Sequence, residues 1–272
     1  MKQIVFLVLF LFFSLMLSAQ GTSLDQAIQQ YKSDIENTKT IATCGHILDG
    51  PAAVVKQIEN RSLDRMIQLS EKQKEEIGKK NFEEIGKRQS LLKTHKDAEK
   101  LLEMFTKLIQ HSESTTTFSL NLIDSKEINA FTTIGGYVYL TTGLLDFVDS
   151  YDELAFILGH EIAHQDKRHV ERKIMKIVLT SQFLELTQME GFMKVANNIR
   201  TTIGAPFDQI DEYEADKQGF SIAKKAGYNP SKFADFFKKM EKVEQRNLLK
   251  KLSSTHPFAQ DRKKCIENYL QN

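Results

Sequence analysis

The feature that most restricts this chain is the pentapeptide His160-Glu161-Ile162-Ala163-His164, which lies in a segment of helical character. Residues four apart on a helix lie one turn above each other on the same face. His160 and His164 could therefore hold one Zn²⁺ through imidazole nitrogens at about 2.0–2.1 Å. Glu161 could reach a water molecule activated by the metal and act as a general base. The alternative is an ordinary polar helix with two chance histidines.

The residues around the pentapeptide predict a capped helix with one apolar face. Ser150 and Glu153 match a capping box, in which Ser150 accepts from the Glu153 amide while Glu153 reaches back. Leu154, Leu158 and Ile162 recur at every fourth position. At about 100° per residue, the two histidines fall roughly 140° from the centre of this stripe. One side of the helix would therefore pack on the core while the other faces a cleft.

A second, acidic helix offers the third ligand that a catalytic zinc site usually requires. Asp208 is a plausible N-cap and Gly227 a plausible stop, which predicts a helix of about 18 residues. Glu212 and Asp216 share one face of it, and Gly219 near that face would allow close approach of the motif helix. Taken alone, such a turn is best interpreted as solvated surface. Beside the histidine motif, a carboxylate ligand with an acidic supporting residue is the better interpretation.

Residues 115–141 predict a small antiparallel sheet. Residues 115–123 alternate polar and apolar side chains, residues 129–134 form a second candidate strand, and a Gly-Gly turn leads to a third at 137–141. One interpretation is a plain structural hairpin. The other is that the third strand is an exposed sheet edge beside the metal, to which a peptide substrate adds as an extra strand. The residues of this predicted substrate edge are Gly136, Tyr137, Val138 and Tyr139.

The first 19 residues have the features of a secretory signal peptide: Lys2, an apolar run from Ile4 to Leu17, and small residues before Gln20. The run is shorter than the roughly 20 residues that span a membrane, so we favour cleavage over an uncleaved anchor. We therefore expect an exported protein, in the periplasm, with secretion as the alternative. In an oxidising compartment Cys44 and Cys265 could form a bridge or remain two buried thiols.

These motifs, in order, resemble the HtpX-type and CAAX-prenyl-endopeptidase-type zinc metallopeptidases, the gluzincins with a Glu-x-x-x-Asp second motif. The resemblance covers about residues 70–272 and is closest to the soluble, exported branch. It implies that Glu212 is the third zinc ligand and that Asp216 orients a zinc-bound histidine. The matching segments are 129–131, 135–139, 141–145, 158–164 and 212–216.

Two residues near the end of the chain also match the exported branch. His256, in Ser254-Thr255-His256-Pro257, could approach the metal as a fourth ligand of a resting form. With Arg262 it could instead stabilise the charged tetrahedral intermediate, which would make both residues catalytic. A histidine at a helix N-terminus before proline is the structural alternative. His169 we interpret as a helix-end residue or one that supports a ligand, and not as a ligand.

The sequence thus predicts an α+β protein, a mostly helical zincin-like metallopeptidase domain with a small antiparallel sheet and an active-site edge strand. We expect a signal peptide at 1–19, a helical extension at 20–69 and the metallopeptidase domain at 70–272. The expected function is zinc-dependent hydrolysis of peptide bonds in unfolded or misassembled envelope proteins, with one Zn²⁺ per chain. The rival is an envelope chaperone or adaptor whose zinc is structural or capped by the protein itself.

The expected partners follow from the same interpretation and from the charge. The chain has 37 Lys and Arg against 36 Asp and Glu, and this balance gives no basic surface that would favour nucleic acid. We expect protein or peptide substrates and peripheral association with the envelope membrane or the outer-membrane assembly machinery. The oligomeric state does not follow from the sequence.

Overall fold

The computed structural model describes residues 51–67, 69–180, 188–244, 255–256 and 259–271. Two compact units divide the chain into Met1–Ile58 and Glu59–Asn272, and all contacts below lie within the second. The signal peptide predicted at 1–19, most of the extension predicted at 20–69, and Cys44 lie outside the described residues; Cys265 is buried. The domain boundary at 69/70 stays a prediction.

Helices make up most of the described structure, with one small sheet among them. This confirms the mostly helical α+β class that the sequence predicts. The strands are β1 Ser119–Ile123, β2 Ala130–Thr133 and β3 Tyr137–Thr141. The helices are α1 Pro51–Met66, α2 Glu71–Arg88, α3 Ala98–Ile109, α4 Thr142–Phe147, α5 Tyr151–Asp166, α6 His169–Thr180, α7 Gln188–Ala196, α8 Ile199–Gly204, α9 Gln209–Lys225, α10 Ser231–Glu244 and α11 Ala259–Gln271. Among the described residues, no helix is both long and apolar enough to cross a membrane.

The sheet is mixed, and its order is β1-β3-β2. Strand β2 pairs with β3 antiparallel, through a tight hairpin at Gly135 and Gly136, which have φ of 83° and 81°. Strand β1 pairs with the other side of β3 in parallel. Two expectations are therefore wrong: the sheet is not purely antiparallel, and Gly136 to Tyr139 do not form an exposed edge. Side-chain alternation identifies the faces of a strand but not its neighbours, so it could not show that β3 is central.

Helix α5 carries the histidine motif and is capped by Ser150, whose side chain accepts from the Glu153 amide at 3.2 Å. The reciprocal half of the predicted capping box differs, because the Glu153 carboxylate accepts from the amide of Asp149 at 3.1 Å. The same carboxylate pairs with Lys239 on α10 at 2.6 Å. These contacts tie the start of α5 to α10 and set the position of the motif.

The core packs against the predicted apolar stripe of α5. Leu154, Leu158 and Ile162 are buried in the main hydrophobic cluster, together with side chains from the sheet, α3, α9 and α10. Phe156 stacks on Phe233 of α10 with ring centroids 5.1 Å apart. The opposite, histidine-bearing side, which the sequence predicts to face the site, is buried too, because α9 packs directly on it.

Candidate active site

The two motif histidines point their Nε2 atoms at the same place. His160 Nε2 and His164 Nε2 lie 2.9 Å apart on the inner side of α5. Glu212 of α9 faces them, with Oε1 3.4 Å from His164 Nε2 and Oε2 3.7 Å from His160 Nε2. All three side chains are buried. Sequence spacing placed them on two separate helices, and the packing of α5 on α9 brings them together.

That packing is close because glycines meet at the crossing. A Cβ on Gly219 would lie 2.6 Å from the backbone nitrogen of His160. A Cβ on Gly159 would lie 2.8 Å from the carbonyl oxygen of Gly219. Real Cβ atoms do not approach this closely, so only glycine allows the two backbones to reach this separation. The prediction that Gly219 permits close approach of the motif helix is confirmed.

The donor atoms fit a metal ion in spacing and in protonation. Ligands at about 2.0–2.2 Å from one tetrahedral ion lie about 3.3–3.6 Å from each other, close to the separations observed here. Burial holds the pKa of His164 well below its ordinary value, which leaves a neutral imidazole. Burial alone would raise the pKa of Glu212, but the charges of Arg262 and His256 outweigh it and hold that pKa well below the usual range. A neutral imidazole and an ionised carboxylate are the metal-binding forms.

Glu161 lies beside these donors on α5. Its side chain is buried, and its Oε2 atom has no hydrogen-bond partner within the described part of the chain. A buried carboxylate oxygen without a partner is costly unless something occupies it during function. His256 lies against this side chain, with Nε2 3.4 Å from Glu161 Oε1.

His256 enters the donor cluster directly. Its Nδ1 lies 3.0 Å from Glu212 Oε1 and 3.3 Å from His160 Nε2, so it joins the two motif histidines and Glu212 as a potential ligand. Burial would lower the pKa of His256, but the carboxylates of Glu212 and Glu161 outweigh it and raise that pKa. The structure thus brings together all four residues that the sequence nominated as ligands or as a resting-state cap.

Asp216 and Arg262 support the cluster from behind. Asp216 Oδ1 lies 2.9 Å from His160 Nδ1, the contact that its predicted orienting role requires. Arg262 makes two parallel bonds to Asp216, at 2.6 Å from Nε and 2.7 Å from Nη2. Its Nη1 lies 2.5 Å from Glu212 Oε2. The guanidinium therefore neutralises two buried carboxylates, and in this arrangement its donors point at protein groups.

Comparison with known proteins decides the class of this site. Residues 93–270 match the family model described as Peptidase family M48. The chain belongs to this family. With the metalloendopeptidases among its relatives, this places the domain among the metalloproteases and supports the resemblance drawn from the motifs.

Individual relatives match the same region. The beta-barrel assembly-enhancing protease of Yersinia pestis is 30% identical over 175 residues, covering 57% of this chain and 35% of that protein. The mitochondrial metalloendopeptidase OMA1 of Schizosaccharomyces pombe is 30% identical over 166 residues, covering 58% of this chain and 48% of that protein. The mitochondrial metalloendopeptidase OMA1 of Bos taurus is 27% identical over 173 residues, covering 58% of this chain and 33% of that protein. The match thus spans between a third and a half of these relatives.

Two side chains of the M48 domain cover the cluster without any sequence signal. Phe207, in the loop between α8 and α9, stacks on the His164 ring with centroids 3.8 Å apart and planes 17° apart. Lys173 of α6 places its Nζ 3.8 Å from the Phe207 ring centre and donates to the carbonyl of Ala205 at 3.2 Å. Both side chains are buried. Neither belongs to a motif, and only the fold brings Phe207 to His164 and Lys173 to Phe207.

Proposed function

We propose that the protein is a zinc-dependent endopeptidase of the cell envelope that hydrolyses peptide bonds of unfolded or misassembled proteins. The observation that carries this proposal is the convergence of His160, His164 and Glu212 beside Glu161, whose Oε2 has no hydrogen-bond partner among the described residues. These three residues would hold one Zn²⁺ per chain. The ion, when bound, supplies a Lewis acid for the scissile carbonyl and lowers the pKa of water to about 7.

The roles of the chain's own residues follow from their positions. Glu161 takes a proton from the attacking water and later delivers it to the leaving amine. Asp216 holds His160 by its Nδ1 atom, which keeps Nε2 directed at the ligand cluster. Arg262 holds the Asp216 and Glu212 side chains in place, and its charge helps to keep the pKa of Glu212 low.

In this proposal the strand to which a peptide substrate adds is β2 and not β3, because β3 lies in the middle of the sheet. The carbonyl of Asn129 accepts from the Thr141 amide, so alternate residues from 129 onward bond to β3. The backbone groups of Ala130 and Thr132 therefore face away from β3, on the side where β2 has no strand neighbour among the described residues, although all four residues of β2 are buried. Gln165 of α5 donates to Thr133 O at 2.7 Å and to Thr132 Oγ1 at 2.6 Å, which ties this edge to the motif helix. A peptide bound along β2 by main-chain hydrogen bonds needs little side-chain recognition.

The proposed location is the periplasm, with secretion as the alternative, on the basis of the signal-peptide features of residues 1–19. The relative from Yersinia pestis is named for beta-barrel assembly. That name supports, for this protein, protein substrates and peripheral contact with the outer-membrane assembly machinery. Quantitative proteomics of the envelope, comparing wild type with Glu161→Gln as a substrate trap, would identify the natural clients.

The decisive test compares metal content and casein cleavage of the purified protein with those of Glu161→Gln. Both proteins should bind one zinc, because Glu161 is not a ligand, and only the wild type should cleave. Chelation should abolish cleavage and added Zn²⁺ should restore it. Full cleavage by zinc-loaded Glu161→Gln would refute the mechanism.

One observation supports the alternative function, an envelope chaperone or adaptor with a self-capped zinc. It is the position of His256 among the donor atoms. If His256 caps the metal, His256→Ala should cleave casein faster than wild type. If His256 acts in catalysis, the same variant should cleave more slowly. Equal protection of unfolded clients by wild type and Glu161→Gln, without cleavage by either, would support the binding function.

A further inference from the structure

We propose that His169 is a positioning residue for the metal centre. It accepts a hydrogen bond from His164 Nδ1 and is itself held by a hydrogen bond from its Nε2 to the Glu214 carboxylate. This inference rests on the proposed metal site of His160, His164 and Glu212, and it assigns a role to a histidine outside that site. The sequence suggested only that His169 ends a helix or supports some ligand.

The three side chains form a continuous chain of contacts behind His164. His164 Nδ1 and His169 Nδ1 lie 3.0 Å apart, and both rings are buried. On the far side of its ring, His169 Nε2 lies 3.1 Å from Glu214 Oε2 and 3.6 Å from Asp211 Oδ1. Glu214 and Asp211 both belong to α9, the helix that carries Glu212. The support for one ligand therefore comes from the helix that carries another.

Metal binding by His164 allows only one arrangement of protons along the His164–His169–Glu214 contacts. If His164 binds through Nε2, its neutral ring carries its proton on Nδ1. That proton can be donated only to a bare nitrogen, so His169 Nδ1 must be the acceptor. A neutral His169 then carries its own proton on Nε2, where the Glu214 carboxylate accepts it. Each donor meets one acceptor, and the orientation of the His164 ring is determined by the relay.

The backbone between the two histidines is bent in a way that makes this contact. On a continuous helix, residues five apart point about 140° away from each other. Helix α5 instead ends at Asp166, and Arg168 adopts a left-handed conformation with φ of 58° before α6 begins at His169. A non-glycine residue in this region is strained by about 1–2 kcal/mol. Arg168 is held there by Asp64 at 3.3 Å and by the carbonyl of Ile67 at 3.3 Å.

The test uses two variants of nearly the same shape, His169→Asn and His169→Leu. The Asn side chain places an acceptor oxygen near the position of Nδ1, whereas Leu offers none. Zinc affinity is measured by competition with a chromophoric chelator, without reference to proteolysis. His169→Leu should bind Zn²⁺ about 10- to 100-fold more weakly than wild type, the usual loss when a ligand's supporting partner is removed. His169→Asn should bind close to wild type.

Cobalt substitution gives a second readout. The visible absorption of bound Co²⁺ reports ligand geometry, so its spectrum should change in His169→Leu and be retained in His169→Asn. The matched control is His111→Leu against His111→Asn, at a partly buried histidine outside the cluster, where the two variants should bind Zn²⁺ alike. Circular dichroism of the metal-free proteins checks that both His169 variants fold.

The outcomes separate this inference from the proposed function. If wild type binds zinc but His169→Asn and His169→Leu lose affinity equally, the histidine only fills space and the relay is wrong. If neither variant changes affinity or spectrum, the relay is also wrong. A second tight zinc on wild type that disappears in both variants would overturn it as well, because His169 Nε2 would then be a ligand. Absence of zinc binding by wild type would instead refute the proposed metal site.

Discussion

Replacing Gly219 by alanine tests whether the separation of α5 and α9 controls the site. The new Cβ would lie 2.6 Å from His160 N and 2.8 Å from His160 Cα, where ordinary contact begins at 3.4 Å. Because both neighbours are backbone atoms of a buried helix, the two helices must separate by up to about 0.8 Å at the crossing. Glu212, which is two helical turns before Gly219 on α9, moves with its helix away from the motif histidines.

Stability and activity should respond to this change by different amounts. Overpacking costs about 1–3 kcal/mol, and alanine recovers about 1 kcal/mol of helix propensity relative to glycine. The net loss of unfolding free energy should therefore be no more than about 2 kcal/mol. A misplacement of about 1 Å among reacting groups can cost about 100-fold in rate, so casein cleavage should fall far more than stability does.

The assays are denaturant unfolding of the metal-free protein, zinc affinity by chelator competition, and casein cleavage by the zinc-loaded protein. Gly204→Ala is the control, because no atom of the described residues lies within 4 Å of the Cβ it would add. That variant should match wild type in all three measurements. If Gly219→Ala bound zinc and cleaved casein as well as Gly204→Ala, close glycine packing would not be what positions the site.

Two further changes probe the charges around the cluster. Arg262→Gln leaves Asp216 and Glu212 buried without their guanidinium partner, which should lower the unfolding free energy by about 3–5 kcal/mol in denaturant titration; Arg88→Gln, at an exposed ion pair, should show no measurable change. Burial lowers the pKa of Lys173 from 10.5 to about 8. Between these values the unfolded chain holds a proton that the folded chain has lost, so the stability of the metal-free protein should rise with pH across this window by about 3 kcal/mol. Lys173→Met should abolish that rise, and an unchanged pH profile would show that Lys173 does not titrate there.

Several parts of the structure could be predicted from the sequence because they depend on spacing within one helix. The four-residue interval of His160 and His164 places them on one face whatever surrounds the helix. The same holds for Glu212 and Asp216, and the caps at Ser150 and Asp208 act within one turn of their own helices. The catalytic and ligand roles of these residues stay predictions until metal and activity are measured.

The sheet order and the surroundings of the site could not be predicted in this way. Alternation along residues 137–141 is the same for a central strand as for an edge strand, and only the pairing of β1 with β3 distinguishes them. The burial of residues 153–165 of α5 likewise depends on α9 and on His256, which come from far along the chain. Polar side chains on a helix normally mark a solvent-exposed face. On α5 and α9 they belong to a buried cluster instead.

The sequence by itself determined which side chains share a helix face, since the period of a helix is a local property of the backbone. It therefore identified the two histidines, Glu161 and the acidic pair of α9 as candidates. Only the tertiary structure decided which groups surround them: His256 among the donors, Phe207 on His164, and the His169–Glu214 relay behind it. These contacts join residues 5 to 96 positions apart, and they exist only because buried backbones pack at one fixed distance.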